Sequence, residues 1–146
     1  MNNKTTKILI ATGGTGGHIF PSLSLATFLS SKYNLQIVSD RRGHKFLPEN
    51  INTKVKIIDS GTIFKKNIFL AFLGILKIIS AFIISIYYLI FSRPKLIIGM
   101  GGYSSFPICV AGFILRIPII IYENNLIIGK ANKFLLPIVK KIMLST

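Results

Sequence analysis

Short apolar runs rich in β-branched residues alternate along the chain with longer segments of helical character. Uniformly apolar strands are typical of a parallel sheet buried on both faces, and the alternation is that of βαβ units. We therefore predict an α/β fold with a Rossmann-like parallel sheet and helices on both of its faces. The predicted strands are Lys7–Ala11, Leu35–Ser39, Val55–Asp59, Lys95–Ile98, Pro118–Tyr122 and Lys141–Leu144, and the predicted helices are Ile19–Ser31, Ile68–Phe91, Ser105–Leu115 and Lys130–Pro137.

The predicted helix Ile68–Phe91 contains one charged residue, Lys77, and is long enough to span a bilayer. A spanning helix, however, would place the strands before and after it on opposite sides of the membrane and so divide the sheet. We prefer a crossover helix that lies on the membrane surface. Helical geometry gathers its small and polar residues on one narrow stripe, formed by Gly74, Lys77, Ala81, Ser85 and Tyr88.

The rest of this helix surface is apolar, whereas a crossover helix needs only one apolar face for its sheet. Basic residues flank the segment on both sides, with Arg93 and Lys95 following it. An apolar surface with a basic rim is typical of a peripheral protein on an anionic leaflet. We predict that membrane contact involves Lys65, Lys66, Phe69, Leu73 and Lys77.

The composition agrees with an anionic partner. Eighteen Lys and Arg residues oppose four Asp and Glu residues, which gives a net charge of +14. Such a surface attracts nucleic acid, anionic lipid or phosphorylated substrates. No basic stripe interleaved with aromatic residues is present, so we expect no nucleic-acid partner. The polar amino terminus lacks the apolar core of a signal peptide, which predicts a cytoplasmic protein.

Cys109 is the only cysteine, which excludes an internal disulfide and a cysteine-based metal site. Its apolar neighbours predict a small buried side chain. The four acidic residues are scattered and offer no paired carboxylate site, so we expect no metal. We also expect no cofactor.

A glycine-rich loop with a histidine follows the first predicted strand, and it reads Gly13-Gly14-Thr15-Gly16-Gly17-His18. Glycines at such a turn let the backbone approach a ligand, and the following helix offers free N–H groups to a phosphate. The spacing fits neither the dinucleotide-binding fingerprint nor a nucleotide-hydrolysing P-loop.

A second glycine loop, Gly99-Met100-Gly101-Gly102-Tyr103, follows the fourth predicted strand, and Glu123-Asn124-Asn125 follows the fifth. The carboxyl ends of parallel strands share one edge of the sheet, where ligands bind. Two glycine loops at that edge could hold a diphosphate. Taken alone, Glu123 reads better as a helix cap or a partner for a lysine than as a catalytic group.

These three elements together resemble the MurG family of GlcNAc transferases within glycosyltransferase family 28. The resemblance covers essentially this whole chain but only the front half of the family enzyme. It implies one half of a GT-B architecture, in which residues 1–146 form the amino-terminal acceptor- and membrane-binding domain and a carboxyl-terminal nucleotide-binding domain is absent.

By this resemblance, the donor is UDP-GlcNAc and the acceptor is undecaprenyl-pyrophosphoryl-MurNAc-pentapeptide, at the cytoplasmic face of the inner membrane. The resemblance implies an inverting transfer that forms lipid II for peptidoglycan. His18 is the candidate base, with Glu123 as its orienting group or as the competing base. The family positions that contact the donor are Thr15, Gly16, Gly17 and Asn125, and those of the acceptor diphosphate are Gly13, Gly14, Gly101, Gly102 and Tyr103. His44 lacks such a context, and we expect it at the surface.

Two substitutions depart from the family pattern. Tyr122-Glu123-Asn124-Asn125 stands where the family has His-Glu-Gln-Asn, and Phe106 replaces a glycine after the second loop, where we expect it to reshape the acceptor cleft. Two other functions remain open: the membrane subunit of a two-subunit GlcNAc transferase for lipid-linked oligosaccharides, and a non-catalytic membrane-binding module.

Overall fold

The chain folds around a six-stranded parallel sheet in a computed structural model that describes residues 5–61 and 67–145. The strands lie in the order β3-β2-β1-β4-β5-β6, which confirms the predicted Rossmann-like fold. The elements are β1 (Lys7–Ala11), α1 (Gly16–Ser30), β2 (Asn34–Ser39), α2 (Arg41–His44), β3 (Lys54–Ile57), α3 (Ile68–Ser92), β4 (Leu96–Gly99), α4 (Ser105–Ile114), β5 (Ile119–Glu123), α5 (Lys130–Leu135), a 3₁₀ turn (Leu136–Ile138) and β6 (Lys141–Leu144).

All six strands and the four predicted helices are where the hydrophobic pattern predicts them, with small shifts at their ends. The short helix α2 was not predicted. The side chain of Asp40 caps it by accepting from the Gly43 N–H at 2.7 Å. Helix α1 begins at Gly16, three residues before the prediction, so the helix includes the end of the first glycine loop.

Two hydrophobic clusters cover the two faces of the sheet. Leu9 and Ala11 of β1 face the side of α3 and α4, and Ile8 and Ile10 face the side of α1. Successive residues point to opposite faces, so a strand buried on both sides has to be apolar throughout. Cys109 is fully buried in the first cluster, which confirms its predicted position, and this burial raises the pKa of its thiol to about 12.

Helix α3 packs on the rest of the fold through its small residues. Its buried positions are Gly74, Ala81, Ser85, Leu89 and Ser92. Much of the predicted small and polar stripe therefore faces inward, although Lys77 is exposed. The close packing is visible at Gly61, where an added Cβ would lie 2.6 Å from the Gly74 carbonyl oxygen.

The large apolar side chains of α3 consequently face outward. We call this surface the outer face of α3; it consists of Ile68, Phe69, Phe72, Leu73, Leu76, Ile79, Ile83, Tyr87, Ile90 and Phe91. The helix is long and apolar enough to cross a membrane by length and composition, and little of its most apolar stretch is buried. Since β3 and β4, on either side of α3, lie in one sheet, the crossover prediction is confirmed.

Candidate active site

The three predicted elements meet at the carboxyl edge of the sheet. The first is the loop between β1 and α1, which is shaped by Asp40 at the end of β2. The buried Asp40 carboxylate accepts from the Gly14 N–H at 2.9 Å and from the Gly43 N–H at 2.7 Å, and it pairs with Arg42 at 3.1 Å. Gly13 fits beside it because an added Cβ would lie 2.5 Å from Ser104 Oγ. These contacts within the chain hold the loop in its conformation.

His18 is held in the first turn of α1 through its own backbone. Its carbonyl oxygen accepts from Thr12 Oγ1 at 3.1 Å and from Ser22 Oγ at 2.6 Å. The imidazole lies against the second glycine loop: a Cβ on Gly101 would lie 2.8 Å from His18 Cε1, and one on Gly102 would lie 3.5 Å from His18 Cδ2. Gly101 also has a φ of +91°, which side-chain-bearing residues rarely adopt. Only glycine leaves room here for the ring.

The third element is Glu123-Asn124-Asn125, at the end of β5 and the start of the loop after it. A hydrogen bond that Pro21 makes available attaches it to α1. Proline has no N–H, so within α1 the carbonyl oxygen of Gly17 receives no bond from the residue four positions later. Asn124 Nδ2 donates to this oxygen at 2.9 Å. The loop after β5 is thereby attached to the first glycine loop.

Glu123 organises this third element from a buried position at the end of β5. Its Oε1 accepts from the N–H and the Nδ2 of Asn125 at 3.0 and 2.7 Å. Its Oε2 accepts from the Gly129 N–H at 2.8 Å and from Asn132 Nδ2 at 3.1 Å. Both oxygens are thus fully engaged, whereas the two expected roles, base or partner of His18, each need a free oxygen. The geometry favours a role in holding Asn125 and Asn132 in place.

The pKa values of the two buried acids agree with this role. Burial raises the pKa of Glu123, but the hydrogen bonds from Gly129, Asn125 and Asn132 outweigh it and bring the pKa below its ordinary value. Burial likewise raises the pKa of Asp40, and the hydrogen bonds from Gly14, Gly43 and Arg42 bring it below its ordinary value. Both carboxylates are charged at neutral pH, and a carboxylate with a lowered pKa is a weak base.

A cavity of about 190 Å³ opens where these elements meet. It brings together His18, Glu123 and Asn125 with the second glycine loop. Two buried polar atoms at this place, His18 Nδ1 and Asn132 Oδ1, have no hydrogen-bond partner among the described residues. Its lining residues are His18, Gly101, Gly102, Tyr103, Glu123, Asn125, Gly129, Lys130, Ala131 and Asn132.

Other predicted site residues lie outside this cavity. Thr15, Gly16 and Gly17 are at the amino end of α1, where the first N–H groups have no partner within the helix. Gly13 is buried and the Gly14 N–H is used by Asp40, so these two glycines shape the loop. The membrane residues Phe69, Leu73 and Lys77 are exposed on α3, while Lys65 and Lys66 lie outside the described residues.

Sequence reasoning missed the roles of Asp40 and Asn132. An acid directly after a strand, followed by a glycine three residues later, was the available signal for Asp40. Phe106 is half-buried and packs against the first hydrophobic cluster, and its effect on the acceptor cleft stays a prediction. His44 is exposed, as predicted.

Residues 8–144 match the glycosyltransferase family 28 N-terminal domain. The chain belongs to glycosyltransferase family 28. Its family 28 relatives include the UDP-N-acetylglucosamine–N-acetylmuramyl-(pentapeptide) pyrophosphoryl-undecaprenol N-acetylglucosamine transferase of Rickettsia felis, 40% identical over 140 residues, which are 95% of this chain and 38% of the relative. The enzyme of the same name from a Wolbachia of Brugia malayi is 39% identical over 128 residues, which are 87% of this chain and 35% of the relative. The chain thus spans little more than a third of these relatives.

Solved structures share the fold of this chain. MurG of Acinetobacter baumannii superposes with a TM-score of 0.83 at 23% identity, over 97% of this chain and 42% of that one. A UDP-GlcNAc 2-epimerase of Methanocaldococcus jannaschii superposes with a TM-score of 0.67 at 15% identity, over 97% of this chain and 40% of that one.

Proposed function

We propose that this chain is the acceptor- and membrane-binding part of a transferase that passes GlcNAc from UDP-GlcNAc to undecaprenyl-pyrophosphoryl-MurNAc-pentapeptide. The names of the Rickettsia and Wolbachia relatives support this donor and acceptor. The observation that carries the proposal is the position of His18, fixed between the two glycine loops at the ligand edge of the sheet. A non-catalytic module would not need a histidine fixed in this place.

In the proposed reaction, the C4 hydroxyl oxygen of MurNAc attacks the anomeric carbon of GlcNAc from the side opposite the leaving group. The new C–O bond forms as the bond to UDP breaks, which inverts the anomeric carbon. His18 takes the hydroxyl proton, and the departing UDP takes the bonding electron pair. A general base of this kind contributes about 10²–10⁴ in rate.

The glycine loops serve the two phosphorylated substrates in this proposal. The amino end of α1, at Thr15, Gly16 and Gly17, directs unpartnered N–H groups and the positive end of the helix dipole toward the donor. Asn125 is exposed beside them while Glu123 holds its amide nitrogen. The second loop, at Gly101, Gly102 and Tyr103, would receive the acceptor diphosphate.

The test is a chimaera in which residues 1–144 precede the remaining sequence of the Rickettsia felis relative. We expect this chimaera to transfer radiolabelled GlcNAc to the lipid-linked acceptor. His18→Ala should lower kcat by about 10²–10⁴ with little change in the KM for UDP-GlcNAc. His44→Ala, the exposed histidine, is the matched control and should leave kcat unchanged. Near-normal turnover of His18→Ala would contradict the assignment of the base.

We also propose that the outer face of α3 rests on an anionic membrane surface, with the helix lying on the bilayer and not crossing it. Large exposed apolar side chains along one helix and a net charge of +14 support this proposal. Apolar burial resists salt, whereas the attraction of Lys and Arg to anionic lipid is screened by it.

Flotation with vesicles tests this proposal. The chain should float with vesicles that contain anionic lipid, be partly released by high salt and be fully released by mild detergent. Phe72→Ser with Ile79→Ser, on the outer face, should reduce flotation, whereas Phe28→Ser, an exposed aromatic on α1, should not. Equal flotation of the wild type, the double variant and Phe28→Ser would contradict a membrane contact through α3.

A further inference from the structure

His18 and Asn132 lie side by side across Gly101. A Cβ on Gly101 would be 2.9 Å from His18 Nδ1 and 3.6 Å from Asn132 Nδ2, so both side chains approach the same point. Both line the cavity of about 190 Å³. The side chain of Asn132 is almost completely buried, with 1% of the residue exposed.

The orientation of the Asn132 amide is fixed by its partners. Its Nδ2 donates to the Tyr122 carbonyl oxygen at 3.0 Å and to Glu123 Oε2 at 3.1 Å. Both of these partners only accept, so the nitrogen must face them and both amide hydrogens are used. The remaining atom, Oδ1, is buried and has no partner among the described residues. An unpaired buried acceptor costs free energy, so a donor is expected beside it.

Nδ1 of His18 is a second buried polar atom beside this cavity. Nδ1 is buried without a partner in the described part of the chain. If Nε2 is the nitrogen that accepts the proton of the sugar hydroxyl, Nδ1 must carry the ring proton of neutral His18. A buried Nδ1–H needs an acceptor, just as Asn132 Oδ1 needs a donor.

We propose that Asn132 is a positioning residue for His18, acting through one water molecule in this cavity. The water accepts from His18 Nδ1–H and donates to Asn132 Oδ1. About 10–15 Å³ of volume open to the centre of a water molecule suffices for one water, so the cavity of about 190 Å³ has room for it. The bridge fixes the Nδ1–H tautomer, presents the Nε2 lone pair to the acceptor hydroxyl, and stabilises the imidazolium that forms when the proton arrives.

This inference rests on the proposed function for the meaning of the Nε2 lone pair, but its test does not need sugar transfer. The chain contains two histidines, so long-range ¹H–¹⁵N spectra of the ¹⁵N-labelled protein, with His44→Gln for assignment, report the tautomer of His18 directly. We expect neutral His18 to be protonated at Nδ1. Protonation at Nε2 in the wild-type chain would overturn the proposal whatever any variant does.

Two variants then test the part played by Asn132. Asn132→Ala should shift His18 toward the Nε2–H tautomer. Asn124→Ala is the matched control, since it removes an asparagine of the neighbouring loop whose Nδ2 donates to the Gly17 carbonyl oxygen, and it should leave the tautomer unchanged. A folded Asn132→Ala protein that keeps the Nδ1–H tautomer would overturn the role of Asn132.

The chimaera separates this inference from the proposed function. Asn132→Ala should lower kcat by less than His18→Ala does. An unchanged kcat would argue against the role of Asn132. Absence of transfer by the unsubstituted chimaera, in contrast, contradicts the proposed function and leaves the tautomer measurement to decide the role of Asn132.

Discussion

At the scale of single residues, two buried acids define the shape of the site. Asp40 fixes the first glycine loop and Glu123 fixes the third element, each by accepting backbone N–H groups. Each of these two carboxylates therefore holds the backbone around the site in place.

Glu123→Gln should reduce the free energy of unfolding by about 1–3 kcal/mol at pH 7, because an NH₂ group would face N–H donors in a buried place. The folded pKa of Glu123 lies below its ordinary 4.5, so its contribution is complete above that pH and is lost as the pH falls through the folded pKa. Denaturant unfolding of the wild type and of Glu123→Gln, at pH 7 and in the acid range, measures the difference in the free energy of unfolding. Glu49→Gln, at an exposed acid, is the control and should behave like the wild type at both pH values.

Two glycines of the loops should respond in opposite ways to the same substitution. Gly101→Ala should destabilise the fold and displace His18, since φ is +91° and the new Cβ would meet the imidazole. Gly17→Ala should be neutral or stabilising by up to about 1 kcal/mol, because Gly17 lies in α1 and its Cβ would meet only Thr15 Oγ1, at 3.7 Å. Thermal unfolding compares the two, and an equal loss in both would show that His18 does not confine Gly101.

At the scale of elements, the hydrophobic pattern predicted the sheet well because strands buried on both faces are apolar throughout. It could not give the orientation of α3. A rule that turns the apolar face inward fails when large apolar residues surround the helix, and the small side chains of Gly74, Ala81 and Ser85 decide which face fits closely. Similarly, the glycine loops were visible as motifs, but the contact of Asp40 with Gly14 joins positions far apart in sequence.

Because the small residues of α3 face inward, added side-chain volume should lower stability on the buried side of the helix and not on its exposed side. Ala81→Leu should reduce the free energy of unfolding by about 1–3 kcal/mol, because Ala81 is fully buried and extra methyl groups strain a close-packed core. Ser80→Leu, at the adjacent exposed position, should change it by less than about 0.5 kcal/mol. Denaturant unfolding of both variants in detergent-free buffer is the measurement. A greater loss of stability for Ser80→Leu than for Ala81→Leu would contradict the assignment of Ala81 to the buried side of α3 and of Ser80 to its exposed side.

At the scale of the whole molecule, we expect the described chain to form one wall of a substrate crevice, since it matches little more than a third of its Rickettsia felis relative. The amino end of α1 and the cavity beside His18 are open at the carboxyl edge of the sheet. We expect the 146-residue chain to fold, because its sheet has a core on both faces. A single wall makes few of the contacts that overcome the entropy cost of association.

The 146-residue chain alone should therefore bind UDP-GlcNAc weakly or not at all, and it should not transfer GlcNAc. The chimaera should bind the donor and restore transfer. Calorimetric titration of UDP-GlcNAc into both proteins measures the difference. Tight donor binding and transfer by the chain alone would contradict this expectation and would point to a self-associated form that closes the crevice.

Helix α3 connects the two edges of the sheet, and its direction has a consequence for how substrates meet the protein. Tyr88 bonds Gln36 near the start of β2, and Lys7 at the start of β1 donates to the carbonyl oxygen of Ser92, so the helix ends at the amino edge. Its first turns, with Ile68 and Phe69 highly exposed, therefore extend on the side of the glycine loops. With α3 lying on a membrane, the edge that carries the glycine loops would lie at one end of the helix, close to the plane in which a lipid-linked sugar diffuses. Encounter would then be a two-dimensional search, governed by the surface density of the acceptor and by lateral mobility in the leaflet.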